Sequence, residues 1–412
     1  MRYQATRPHE RSIARTFDRT QNIPLFTSAE YAARTVGSLR NKTRQRAKVC
    51  LIIAAYNEEL VLKHTIESAV LAGMSRSDIY VVDDSSIDST AYVASRTVGK
   101  VNLLTVGRSG KGLALSKVAS ELKLTERYEW IHIADADGEF DEKYFTALYN
   151  NLDPRYAAAT GYISSLPGSY VGNFRTFEYT MAMDITRRYQ SMLDLITIIP
   201  GPTSVFRSDV FEKLDFCTGS LCEDLDVTIQ IHDKKLGRIK FIDTAIARTQ
   251  DPHDLRNYTK QITRWNRGTL QVFMRNKMWR RPSRVNTFIT YQVLQNMIFG
   301  TMYMFAVPLI TLLTGSLYFM AVLFLSDVLT IFVFALYAAV RTGRPETLAS
   351  FPLTYGMRWT QLVIFMKCFI EVVILKKFRI TRGTWETVTR KENPSFLSLG
   401  KIMSDPPSTQ TD

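Results

Sequence analysis

Asp135 and Asp137 stand one residue apart at the end of a β-rich run, residues 130–134. In an extended segment residues i and i+2 face the same way, so this spacing predicts two carboxylates on one side. Paired hard oxygen donors suit Mg2+ or Mn2+, which bridges to a diphosphate and stabilises the charge of a departing nucleotide. Alone, an Asp-x-Asp pair is as well explained by ordinary loop acids. Its neighbours carry the argument further. Ala55-Tyr56-Asn57-Glu58 follows one β-rich run and Asp83-Asp84-Ser85-Ser86 the next, two acidic and polar clusters about 30 residues apart. No G-x-G-x-x-G and no G-x-x-x-x-G-K-[ST] occurs, which leaves neither a dinucleotide fingerprint nor a Walker loop. Side chains must then hold a nucleoside: Asp84 accepts from a uracil imide or a ribose hydroxyl, and Tyr56 packs on a ring.

These residues need a scaffold that brings run ends together. From Val49 the chain alternates β-rich runs (49–54, 79–82, 101–106, 130–134 and 157–163) with helical patterns, the signature of an α/β sheet with crossover helices. Ligands bind such sheets at the carboxyl ends of the strands. At 412 residues and 46% hydrophobic, the chain has enough apolar content for a full core and is no small disulfide scaffold. Its four cysteines (Cys50, Cys217, Cys222 and Cys368) lack zinc-site spacing and suit reduced thiols in a reducing, cytosolic active domain.

The net charge of +13 is concentrated rather than spread. Residues 1–48 hold eleven Lys/Arg against three Asp/Glu, a basic arm either solvated or drawn to anionic lipid at about 1 kcal/mol per basic residue. No apolar stretch follows it as a secretory signal requires. The remaining basic residues flank apolar segments instead of interleaving with aromatics, which argues against a nucleic-acid partner. Between Arg284 and Asp327 lie 42 residues without a charge, room for two membrane spans, expected at 291–313 and 318–340 after an interfacial segment at 271–284. Basic residues outside both ends predict that those ends are cytoplasmic. The stretch 351–378 carries Arg358, Lys367 and Glu371, with Lys367 and Glu371 spaced to pair on a helix face, and fits either a third crossing or a re-entrant element. Asp327, inside the second span, is expected to face protein or a polar path. Residues 379–412 form a cytoplasmic tail.

The order Ala55-Tyr56-Asn57-Glu58, Asp83-Asp84-Ser85-Ser86, Gly110-Lys111-Gly112, Asp135-Ala136-Asp137, Glu223-Asp224 and Gln261-Ile262-Thr263-Arg264-Trp265, followed by membrane helices, resembles the inverting family-2 glycosyltransferases. Within that family it is most similar to the membrane polysaccharide synthases that make cellulose, chitin, hyaluronan and poly-N-acetylglucosamine. The resemblance covers about residues 48–390. It implies an α/β fold: a GT-A-type nucleotide-sugar-binding domain at 49–270, mostly parallel sheet with flanking helices, then C-terminal transmembrane helices at 285–378. Tyr56, Glu58 and Asp84 would hold the nucleoside of a UDP-sugar, with Lys111 near its phosphates or ribose. Asp135 and Asp137 would serve the diphosphate, Asp137 as direct ligand of Mg2+ or Mn2+. Asp224 would be the general base, its pKa raised by Glu223 and Asp226.

Gln261 and Arg264 fall on one helix face, with Trp265 about 100° around. Arg264 would stabilise the leaving diphosphate and Trp265 would stack on an acceptor sugar. Gly201-Pro202-Thr203-Ser204 and Phe206-Arg207 lie on the acceptor side without an assigned role. No Phe-x-Val-Thr element follows Trp265, a departure from the cellulose synthases. The expectation is a multi-pass plasma-membrane transferase, its catalytic domain cytoplasmic. It would carry sugar from UDP-N-acetylglucosamine or UDP-glucose to a growing β-linked polysaccharide, among membrane lipids and export subunits. The alternatives are single-sugar transfer to a polyprenyl phosphate or other lipid acceptor, and a silent sugar-nucleotide-binding assembly partner.

Overall fold

Residues 49–55 read VCLIIAA, an apolar run with no polar face, which is the pattern of a strand covered on both sides. In the computed structural model, which describes residues 47–166 and 168–377, this run is β1 (Val49–Ala55), a central strand of an eight-stranded sheet. The basic arm expected over residues 1–48, save its last two residues, and the tail expected at 379–412 lie outside the described residues. The other strands are β2 (Ile79–Asp83), β3 (Leu103–Thr105), β4 (Trp130–Asp135), β5 (Gly138–Phe140), β6 (Tyr156–Ser165), β7 (Ser204–Arg207) and β8 (Arg238–Thr249), in the order β3-β2-β1-β4-β7-β6-β8-β5.

The sheet is mixed: six of its eight strands run one way, in line with the mostly parallel sheet expected, and β5 and β7 run against them. Pairs β1–β2, β2–β3, β1–β4 and β6–β8 are parallel, whereas β4–β7, β6–β7 and β5–β8 are antiparallel. The reversals come from β7, four residues wedged between β4 and β6, and β5, three residues at the sheet edge, both too short to show a periodicity of their own.

Alternation along β1 divides the core. Leu51 and Ile53 face a cluster containing Leu62 and Ile66 of α1 (Leu62–Leu71), which lies under the sheet beside α2 (Thr90–Thr97). Cys50 and Ile52 face the opposite cluster, with Leu115 and Val118 of α3 (Lys111–Glu121). On the first side α4 (Tyr144–Asn151) contributes Tyr144, Phe145 and Leu148.

A third cluster joins the sheet unit to the apolar helices. It gathers α5 (residues 170–192), α6 (Glu223–Asp233), α7 (Leu255–Arg275), α8 (Arg284–Thr314), α9 (Leu317–Thr342) and α10 (residues 351–374) around Phe174, Tyr258, Ile262, Ala335 and Phe365. By length and composition α8 and α9 are long and apolar enough to cross a membrane, and protein buries little of their surface. The expected spans fall within them, joined by a turn whose Gly315 adopts a left-handed conformation.

Helix α10 runs along α7, and two charge pairs replace the expected one. Glu371 pairs with Arg267 of α7 at 2.5 Å rather than with Lys367 four residues before it. Asp327 pairs with Arg358 at 3.1 Å, so the carboxylate inside α9 faces a neighbouring helix. A partner on another helix is reached at full side-chain length, which an i,i+4 spacing cannot reveal.

Candidate active site

Strand register assembles the rim expected to hold the donor. Ala55 lies beside Asp83 and Ala54 beside Asp135, so the ends of β1, β2 and β4 form one rim. The strand order turns between β1 and β4, where an open α/β sheet leaves a crevice for a ligand. The loops leaving β1 and β2 each contain a left-handed non-glycine residue, Asn57 (φ 55°) and Ser85 (φ 58°), a conformation that persists where the surroundings impose it. Here they do: Ser86 Oγ accepts from the Asn57 amide at 3.0 Å, Asn57 Oδ1 accepts from the Ile87 amide at 3.0 Å, and Thr90 Oγ1 accepts from the Glu58 amide at 2.8 Å. Glu58 is buried, and Tyr56 is half-buried.

Asp84 is a clasp for the loop before α3. Its Oδ1 accepts from the Ser109 amide at 2.7 Å and Ser109 Oγ at 3.2 Å, and its Oδ2 accepts from the Gly110 amide at 2.9 Å. Arg108 of the same loop lies over the Tyr56 ring, 3.1 Å from its centre.

At the rim, Lys111 at the start of α3 donates to Asp135 Oδ1 at 2.5 Å and stands 3.6 Å from Glu223. Burial works against this ammonium, but the carboxylates of Asp135 and Glu223 outweigh it and raise its pKa above the ordinary lysine value. Gly201 is the reason the pair fits: a Cβ there would come within 2.9 Å of Lys111 Nζ and 3.0 Å of both Asp135 oxygens. Asp135 ends β4 while buried Asp137 lies in the turn to β5, so the two carboxylates occupy a turn rather than one face of an extended segment. Among the described residues no group of three or more His, Cys, Asp or Glu side chains could hold a metal ion. Two carboxylates nevertheless fit Mg2+ or Mn2+, since Mg2+ is usually held by one or two carboxylates plus substrate phosphates and waters.

Asp224 is in the first turn of α6, after Glu223 and the N-cap residue Cys222. Burial, followed by the charge of Glu223, pushes its carboxyl up to about 7, against the opposing pull of the Leu225 amide, which donates at 2.8 Å, and of Lys111. Asp226 is not among the causes; it forms an ion pair with Arg275. Arg187 of α5 is buried within electrostatic reach of Asp224, its guanidinium lowered to about 10 by burial.

The motif expected on the acceptor side lies on α7. Gly268 lets this helix press on the start of α6, because a Cβ there would stand 2.4 Å from Cys222 Sγ. Cys222 Sγ donates to the Trp265 carbonyl at 3.5 Å, and Arg264 is within electrostatic reach of the same thiol. Gln261 has a buried Oε1 with no hydrogen-bond partner, a cost of about 1–3 kcal/mol that a ligand hydroxyl would relieve. Over the Trp265 ring, at 4.7 Å, sits the Arg175 guanidinium, which also pairs with Asp251 at 3.1 Å and Glu178 at 2.9 Å. Beyond Trp265 opens a cavity of about 530 Å3 between α7 and the apolar helices, lined in part by Asn296, Tyr303, Asp327, Arg358 and Trp359.

The structure thus gathers Lys111, Asp135 and Asp224, places Tyr56, Glu58 and Asp84 along the same rim, and sets Gln261, Arg264 and Trp265 on the helix beside α6. Sequence reasoning missed Arg108, Arg175 and Arg187, and left Gly201 without a role. The first three carried no motif. Phe206 is a core residue, and Arg207 pairs with Asp209.

Residues 50–215 match the profile of Glycosyl transferase family 2. The chain is similar to the poly-beta-1,6-N-acetyl-D-glucosamine synthase of Staphylococcus aureus, 23% identical over 235 residues, which are 55% of this chain and 56% of that protein. The Staphylococcus epidermidis protein of the same name is 24% identical over 246 residues, 58% of each chain. The chain thus spans little more than half the length of the curated relatives it matches. Among solved structures, the mannosyltransferase PcManGT from Pyrobaculum calidifontis, in complex with GDP-Man and Mn2+, has the same fold, with a TM-score of 0.53 at 20% identity over 79% of this chain and 94% of that one.

Proposed function

We propose that this chain, whose residues 50–215 carry a glycosyl transferase family 2 domain, is a membrane-bound inverting glycosyltransferase that moves a sugar from a UDP-sugar to a growing β-linked polysaccharide. One observation carries the reading. A buried carboxylate raised to about 7 stands within electrostatic reach of the Lys111–Asp135 pair, at the start of a helix that packs against Trp265.

Each residue then has work that its position suits. Tyr56, Glu58 and Asp84 line the nucleoside slot, and Lys111 offers a point charge to the donor's phosphates. Asp137, with Asp135, would hold Mg2+ or Mn2+, which supplies charge stabilisation to the departing diphosphate. Asp224 accepts the acceptor hydroxyl's proton while that oxygen bonds to the anomeric carbon; the opposite carbon–oxygen bond breaks and UDP leaves with its electron pair. A base with a pKa near 7 is well matched to the task at neutral pH. Arg264 faces the charge that develops on UDP, Gln261 offers its unpartnered oxygen to a sugar hydroxyl, and Trp265 presents a ring to the acceptor.

The similarity to the staphylococcal synthases favours N-acetylglucosamine as the transferred sugar. The cavity beyond Trp265 favours a glycan acceptor over a lipid phosphate. Its cations Arg175 and Arg358 are paired with its carboxylates Glu178 and Asp327, which leaves neutral hydrogen-bonding groups and rings. Helices α8 and α9 supply the membrane anchor, with the catalytic unit on the cytoplasmic side where nucleotide sugars are found.

Asp224→Asn tests the mechanism. It is expected to retain UDP binding while transfer falls by about 10² to 10⁴, the usual worth of a positioned base. Unchanged turnover removes Asp224 from the role.

A further inference from the structure

The donor slot holds one side chain that neither the motif spacing nor the mechanism uses. Arg108 lies in the loop between β3 and α3, with its guanidinium carbon 3.1 Å from the centre of the Tyr56 ring. Its Nη1 is 3.6 Å from Asp84 Oδ2, and the side chain is 45% exposed, so packing does not lock it in place.

A planar group lying on Tyr56 with a charged nitrogen 3.6 Å from Asp84 occupies the two positions that a pyrimidine base would take against the same residues. An ionised carboxylate has about four acceptor positions. At Asp84, the Ser109 amide, Ser109 Oγ and the Gly110 amide take three, and the fourth faces Arg108. With Arg108 in this position the ring face is occupied and the approach to the remaining acceptor is covered. When it moves aside, both open together.

Resting on the reading of Tyr56 and Asp84 as nucleoside-binding residues, we propose that Arg108 determines donor affinity by acting as a mimic of the nucleobase, which the incoming base must displace. Arg108 is nearly half exposed and stands beyond hydrogen-bond distance of Asp84, so displacement is readily achieved yet not free. The competition lowers affinity by about two- to fivefold, the worth of one exposed cation–π contact. It acts on the base alone, so the factor is the same whatever phosphates the nucleotide carries. A guanidinium that instead held the donor's phosphates would act in the opposite sense and more strongly on a diphosphate.

The test is isothermal titration of UMP and of UDP into the full chain purified in detergent, with wild type, Arg108→Ala and Arg108→Lys compared. The Ala variant is expected to bind both nucleotides about two- to fivefold more tightly than wild type, by the same factor for each. Lys, which keeps the charge but not the planar group, is expected to fall between them. Unchanged or weaker UDP binding by Arg108→Ala overturns the inference, and a loss larger for UDP than for UMP assigns Arg108 to the phosphates instead. Absence of binding by all three proteins overturns the nucleoside reading of Tyr56 and Asp84, and this inference with it.

Discussion

The rim proposed for the donor and the cavity proposed for the acceptor are built on different plans. Around the rim, backbone register brings the candidate residues to neighbouring strand ends: β2, which leads into Asp84, and β4, which ends in Asp135, flank β1 because both pair with it. Around the cavity, position is set by ion pairs and hydrogen bonds between residues far apart in sequence. Arg175 reaches Asp251, Gln361 bonds Glu178 and Tyr258, and Asp327 meets Arg358. Such a rim tolerates the loss of a side chain that holds no loop, as Tyr56 does not, without losing its shape. A cavity held by paired buried charges does not, because removing one partner strands the other.

This contrast predicts where substitutions destabilise. After the loss of transfer in Asp224→Asn, the largest effect is expected for Arg175→Ala. It leaves Asp251 and Glu178 without their cation and costs about 3–5 kcal/mol of stability, measurable by denaturant unfolding in detergent. A rim substitution such as Tyr56→Ala is expected to weaken UDP binding with much less effect on unfolding. Equal destabilisation by the two would erase the distinction.

Asp327→Asn is expected to cost about 1 kcal/mol, the scale of a single bond between membrane helices, and to raise the acceptor's KM more than the donor's. The exchange of Asp327→Arg with Arg358→Asp is expected to recover most of that loss. Failure to recover it would mean that Asp327 acts alone.

The finest test is a pH profile. Asp224 acts when deprotonated, so the rate is expected to rise through about pH 7, and Glu223→Gln is expected to move that limb to lower pH by removing a like charge. The sign for stability is opposite. The folded carboxyl holds its proton more tightly than the ordinary value of about 3.9, so its stabilising contribution is complete below about pH 4 and is lost as pH rises through about 7. A limb that stays in place in Glu223→Gln would remove Glu223 from the causes of the shift and leave burial as the main one.

The same contrast explains what was legible in the sequence. Runs at 49–54, 79–82 and 130–134 are apolar on both faces and end in polar clusters, so strand and site residue were visible together. Tyr56, Asp84, Asp135 and Asp137 follow from that pattern. Strands β5 and β7, three and four residues long, are below the length at which alternation shows, and the mixed sheet was hidden with them. Arg108, Arg175 and Arg187 could not be found by spacing. Arg175 meets its partner Asp251 76 residues away, and Arg108 pairs with an aspartate on another strand's loop. Glu371 shows the hazard: a plausible local partner four residues away lost to Arg267, 104 residues distant. Gly201 reads as an ordinary turn residue until the Lys111–Asp135 pair is in place beside it.

The most direct test of the central claim is UDP release by the full chain purified in detergent, with Mg2+ or Mn2+, across a panel of UDP-sugars, with product size measured on the same samples. The account predicts release from one donor, with UDP-N-acetylglucosamine foremost, together with a product longer than one added sugar. No release from any donor by a protein that binds UDP would contradict it, and release with only a lipid-linked monosaccharide would contradict the glycan acceptor.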